Sequence, residues 1–129
     1  NSASSVDVQN VTTRDGGLSL TATTINLEGT SISTDSTGTA GAVSLTGAVV
    51  LKNNVSIDTD GKAFDRNVTF SSTVNADVAA NARTLTVTTG VGAVDFQGDI
   101  GASQALQRYT TLKRTCCMRS NGKRFKKAM

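Results

Sequence analysis

The side chains capable of chemistry are few and unevenly placed. The chain has no histidine, which removes Ser-His-Asp and Cys-His catalysis and the commonest zinc ligand. Its densest acidic cluster is Asp58, Asp60 and Asp65, in the stretch DTDGKAFD. Carboxylates two residues apart on a loop, interleaved with backbone carbonyls, are calcium-ligand chemistry, so these three are the candidate metal ligands. Against the twelve-residue calcium-loop pattern the fit is loose. Ser56 stands at the first ligand place and Asn67 at the twelfth, where an acid and a Glu belong. An Asp-rich turn leaving a strand accounts for the same residues, and that is the expectation.

Three Asn-Val-Ser/Thr tripeptides begin at Asn10, Asn54 and Asn67. Each is a formal N-glycosylation acceptor. Each also suits a corner, with Asn in the turn and Val opening the next strand, and this structural origin is the favoured one. A polysaccharide lyase or hydrolase would need acidic and basic side chains converging on one sheet face. The outward centres of the aligned strands, Asn26, Ser44, Thr69 and Asp95, hold one carboxylate in four. No catalytic residues, no enzyme and no cofactor are therefore expected.

Charge divides the chain into two unlike parts. Residues 1–107 carry ten acidic and five basic side chains, and residues 108–129 carry eight basic and no acidic ones, so a net charge of +3 conceals −5 and +8. The tail, RYTTLKRTCCMRSNGKRFKKAM, also holds both cysteines, Cys116 and Cys117, whose adjacency is not metal-site spacing. A basic run with Tyr109 and Phe125 attracts nucleic acid or anionic membrane, but only nonspecifically. The expected division is thus a folded body over 1–107 and an irregular basic tail over 108–129, unrelated to the body. No specific nucleic-acid partner is expected. The chain has no initiator Met at position 1, no basic and apolar leader, and no apolar run near 18 residues. No membrane span is expected, and an export signal would lie upstream of an interior piece.

The elements that must position these residues are strands. An apolar–polar–apolar triplet returns at Val6-Asp7-Val8, Leu18-Ser19-Leu20, Ile25-Asn26-Leu27, Val43-Ser44-Leu45 and Val49-Val50-Leu51. It returns again at Val55-Ser56-Ile57, Val68-Thr69-Phe70, Leu85-Thr86-Val87 and Val94-Asp95-Phe96. Period-two alternation gives strands with one face inward and one in water. Positions 43, 49 and 55 repeat every six residues, too tight for the roughly 8–12-residue rhythm of a sandwich. The segment 42–51 aligns with 67–76 and 93–102, at offsets of 25 and 26 residues, and with an earlier copy, 24–33, at 18. Such a period fits one coil of a solenoid, in which each short strand pairs with its copies above and below. The expected fold is all-β: a right-handed parallel β-helix (β-solenoid) of about four coils, right-handed by the usual crossover rule. The variable loops would be Thr34–Gly41, Asp60–Asn67 and Asn75–Arg83. Phe70 and Phe96 take aligned inward positions, leaving Phe64 as the exposed aromatic.

The strings TINLEGTSIST, SLTGAVVLKNNVSIDTDG and VTFSSTVNAD resemble the β-strand repeats of large filamentous-haemagglutinin-like adhesins, over about residues 17–107. The resemblance implies a secreted or bacterial cell-surface shaft. Its partners would be the neighbouring repeats of a longer parent chain, with host or matrix glycans or proteins at its surface. It carries over no catalytic residues. A carbohydrate- or matrix-binding solenoid module is the alternative, and a β-helical polysaccharide-processing enzyme a distant third.

Overall fold

The computed structural model describes residues 3–14, 16–34, 40–61 and 65–113. Every described strand pairing is parallel, in two sheets that share one core. The first sheet holds β1 (Ala3–Val8), β3 (Leu18–Leu27), β5 (Val43–Leu51), β7 (Val68–Phe70) and β10 (Val94–Phe96), in that spatial order. Strand β8 (Val74–Ala76) also pairs with β5. The second sheet holds β2 (Val11–Thr12), β4 (Ser31–Ser33), β6 (Val55–Asp58), β9 (Thr84–Gly90) and β11 (Arg108–Lys113). Neighbours in space are one coil apart in sequence, which makes the fold a β-solenoid of about four turns.

The six-residue rhythm at Val43, Val49 and Val55 is the spacing of faces within one coil. Strand β5 covers two faces: its first half pairs with β7 and its second with β8. Between the halves Gly47 has φ 142°, and a Cβ there would overlap the Ala22 carbonyl of the coil before. A glycine is required by both conformation and space. The third face, β6, follows after a short corner. Residues 43–45 and 49–51 are therefore consecutive faces of one coil and not a hairpin.

Register confirms the expected offsets in the later coils. Val43 lies against Val68, and Val68 against Val94, steps of 25 and 26 residues. The 18-residue step for the earlier copy is corrected: Leu18 lies against Val43, and Ile25 against Val49. The expected alignment of 24–33 is one face out, because aliphatic triplets six residues apart look alike and an error of one face mimics a shorter coil. The same correction takes Asn26 out of the outward row, which runs Ser19, Ser44, Thr69, Asp95.

Inward positions form apolar ladders. Val43, Val68 and Val94 are sealed from solvent, as are Leu45, Phe70 and Phe96 one alternation further on. In-register parallel pairing places the Phe70 and Phe96 rings 4.6 Å apart and within 3° of parallel, close to the strand spacing of about 4.8 Å. Tyr109 closes this column edge-on, its ring 4.9 Å from that of Phe96 at 82°.

The Tyr109 contact moves the boundary expected at 107/108. Arg108–Lys113 pairs with Thr84–Gly90 as the last strand of the second sheet, with Leu106 fully buried just ahead of it. The abrupt charge change concealed this strand, whose first residue, Arg108, is exposed. The rest of the tail, 114–129, lies outside the described residues, as do Phe64, Cys116, Cys117 and Phe125. The expected loops 34–41 and 60–67 include residues 35–39 and 62–64, which lie outside the described residues; Asn75 and Ala76 belong to β8, so the third loop begins at Asp77.

Two outcomes test this packing. Val94→Asp buries an unpaired carboxylate at a cost of several kcal/mol, comparable to a whole stability of about 5–15 kcal/mol. The expected result is loss of the β circular dichroism signal, and retention of the native signal would refute the inward assignment. Tyr109 is the only tyrosine of the chain, and burial pushes its phenol up to about 12, against a partly offsetting hydrogen bond with Thr111. Ultraviolet titration of the folded protein should show tyrosinate forming near pH 12, and an ordinary midpoint near 10 would detach residues 108–113 from the body. A pKa raised on folding gives stability that is complete below pH 10 and lost as pH rises towards 12, a loss that Tyr109→Phe should abolish.

Candidate functional site

The polar side chains singled out by sequence sit at the corners, where strands end and backbone groups lose their ladder partners. Asp58 Oδ1 accepts the Asp60 amide N–H at 2.9 Å, and Asp65 Oδ2 accepts the Val91 N–H of the next coil at 2.8 Å. Asp60 and Asp65 meet over Gly90, whose φ is 57° and where a Cβ would lie 2.6 Å from Asp60 Oδ1. The structure thus gathers the candidate calcium residues at one corner, with Asp58 and Asp65 capping backbone amides. Among the described residues, no three His, Cys, Asp or Glu side chains are grouped to hold a metal ion.

The three sequon asparagines share one arrangement. Asn10 Oδ1 accepts the N–H groups of Thr30 and Ser31, at 2.7 and 3.1 Å. Asn54 Oδ1 accepts Thr84 N–H at 3.0 Å, and Asn67 Oδ1 accepts Ala93 N–H at 2.8 Å. Each carboxamide is a strut from one coil to the next. Asn75, outside any sequon, does the same for Ser103 and Gln104, at 3.0 and 3.2 Å, so the role needs only the Asn. Glycosylation would use Nδ2, which these contacts leave out, and all three sequon residues are exposed.

Four threonines escaped sequence reasoning. Thr13, Thr34 and Thr59 follow the third-face strand of successive coils and Thr89 lies near the end of β9, each at the inward phase of the alternation. The last three are fully buried. Each hydroxyl donates to a backbone carbonyl where the chain re-enters the coil: Thr13 to Gly16, Thr34 to Gly41 at 2.6 Å, Thr59 to Arg66 at 2.7 Å, and Thr89 to Gly92 at 2.9 Å. The signal was in the sequence as an aliphatic–polar–Thr tripeptide, at 11–13, 32–34, 57–59 and 87–89. It becomes visible only when the third faces are aligned.

One ion pair closes the loop after β8. Arg83 Nε and Nη2 grip Asp77 Oδ1 and Oδ2, at 3.0 and 2.9 Å, and Asn81 Nδ2 adds a bond to Oδ2 at 3.0 Å. The Arg83 hydrogen bonds hold the Asp77 carboxyl well below the usual carboxylate range, while burial opposes them. The amide N–H of Val78 and Asn81 add to the lowering. Asp77 raises Arg83 in turn.

On the outer faces, chemistry is dispersed. The row Ser19, Ser44, Thr69, Asp95 offers three hydroxyls and one carboxylate, the latter bonded by Gln97 Nε2 at 3.1 Å. In the next face Asn26 donates to Asp7 at 2.7 Å. Neither row pairs an acid with a base. Among the described residues, no helix is long and apolar enough to cross a membrane. With this geometry the chain belongs to the class of parallel β-solenoids. Comparison with protein-family models, with curated proteins and with solved structures gives no match.

Because folding lowers the Asp77 pKa, its contribution to stability is present above the ordinary carboxylate value of about 3.9. It is lost as pH falls through that range towards the folded value. Acid unfolding of Asp77→Asn should therefore show a shallower decline of melting temperature below about pH 4 than the parent. An unchanged acid limb would mean that the pair is broken in solution. The effect should shrink in salt, since both side chains are partly exposed.

Proposed function

We propose that this chain is a structural shaft segment of an exported, adhesin-like surface protein and performs no catalysis. The observation that carries the reading is the direction of packing. Buried side chains contact their counterparts one coil away along a single axis, so adding coils lengthens the body without altering its cross-section. The fold serves extension, and the outward rows carry hydroxyls and amides that keep the sides soluble. The coils are read as right-handed on the strand-twist argument. The resemblance of residues 17–107 to filamentous-haemagglutinin-like repeats supplies the secreted or cell-surface setting, with neighbouring repeats of the parent chain as first partners. A carbohydrate- or matrix-binding module is the second reading, favoured by the outward hydroxyls of Ser19, Ser44 and Thr69, which can bond glycans.

Two measurements test the proposal. Residues 18–93 make up three coils in register, so a chain with this segment duplicated in tandem should lengthen by about 14 Å at constant cross-section in small-angle scattering. A wider or globular particle would overturn the shaft. Surface exposure is tested in the producing cell, where external protease should remove the segment from intact cells. Complete protection of a folded, expressed segment would overturn the surface setting.

A further inference from the structure

We propose that the strand edge Leu18–Thr21 is the joint where a preceding repeat of the parent chain docks, by adding one parallel strand over Leu18 and Leu20. Strands β3 and β5 each run unbroken through the first and second faces of their coils. Strand β1 covers only the second face, with Ala3 against Ala22 and Val8 against Leu27. Among the described residues, no strand pairs with Leu18–Thr21 on that side. This end of the stack therefore has a step one strand deep.

Backbone and side chains both leave the step unfinished. Leu18 N–H donates to the Ala42 carbonyl, Val43 N–H to that of Asn67 and Val68 N–H to that of Ala93, at 2.9, 3.0 and 2.9 Å. Inward residues thus bond onward to the next coil. Successive residues of a parallel strand bond to opposite neighbours, so the backbone groups of Ser19 and Thr21 point into the step. The core is open at the same place. Its partly buried apolar residues are Val6, Val11, Leu18, Leu20 and Tyr109, and all but Tyr109 lie at this end. At the far end Val94, Phe96 and Leu106 are sealed, although Val94–Phe96 is also the last strand of its sheet. Natural sheets blunt free edges with charged residues or proline. The run Leu18-Ser19-Leu20-Thr21 has neither, whereas the outermost strands of the far end carry Asp95 and Arg108.

The repeat itself shows what fits. Val43 and Leu45 are covered on this side by Leu18 and Leu20, the first-face strand of the coil before. The equivalent cover for Leu18 and Leu20 is another first-face strand, apolar–polar–apolar, parallel and in register. Its backbone pairs with Ser19 and Thr21, and its two inward side chains bury both leucines, which is recognition by strand addition. The pairing stands on geometry, and its assignment to a repeat of the parent chain rests on the shaft reading.

The test builds such a strand into the chain. Leu18–Thr23 is repeated directly ahead of Ser5, in place of residues 1–4, and everything after Ser5 is kept. Ser5 lies against Thr24, so the copy falls in register on its original. The graft should raise the melting temperature by roughly 4–8 °C. It should also slow exchange of the Ser19 and Thr21 amides by about tenfold or more. A control graft with serine at both leucine positions should do neither. Leu20→Ser should lower the melting temperature more in the grafted chain than in the parent. A graft that leaves the melting temperature unchanged or lowers it overturns the proposal, as does a control that stabilises equally. A dimer of the ungrafted chain that Ser19→Lys dissolves would assign the edge to a second copy, and would overturn it too. The length of the tandem chain is independent of these outcomes, so the joint can fail while the shaft stands.

Discussion

Parallel, in-register stacking forces each inward side chain to lie on its counterpart one coil away. A residue in the core is therefore chosen by what sits above and below it as much as by its own strand. Columns of like residues follow: valines at 43, 68 and 94, and Leu45 beneath the stacked rings of Phe70 and Phe96. Short strands suffice because each gains ladder hydrogen bonds and apolar contact on two sides at once. This is why a chain with four phenylalanines, one tyrosine and no tryptophan can seal a continuous core from thin layers of Val, Ile and Leu.

The stacking has a cost at the corners, where backbone groups leave the ladder. Three kinds of side chain settle that cost in different places. Asparagine oxygens reach to the next coil, aspartates cap amides beside Gly90, and inward threonines bond across the corner that leaves the third face. The residue types that a sequence reader takes for ligands or acceptors are thus largely engaged in holding coils together. The sequons at Asn10, Asn54 and Asn67 begin where a strut is needed and continue into a strand whose first residue faces the core.

The same geometry shapes what the molecule can do. Stacking aligns equivalent positions of successive coils in rows, such as Ser19, Ser44, Thr69 and Asp95 on one outer face. The outward hydroxyls of that row suit a solvated side wall.

Alternation of Val, Leu and Ile with Ser, Thr and Asn determined the strands, and the 25- and 26-residue offsets determined the solenoid, because inward and outward phases are local properties of a pleated chain. The inward placement of Phe70 and Phe96 was legible for the same reason. Which face of a coil each triplet occupies was not: Ile25-Asn26-Leu27 and Val43-Ser44-Leu45 are alike in pattern, and only the pairing of Ile25 with Val49 separates them. Nor did local pattern reveal that Arg108–Lys113 completes a sheet, since the ring contact that ties it to the core, Tyr109 on Phe96, arises only in the coiled chain. The threonine clamps, the asparagine struts and the Asp77–Arg83 pair were decided by tertiary structure, because each depends on a partner whose nearness is created only when the chain has coiled around.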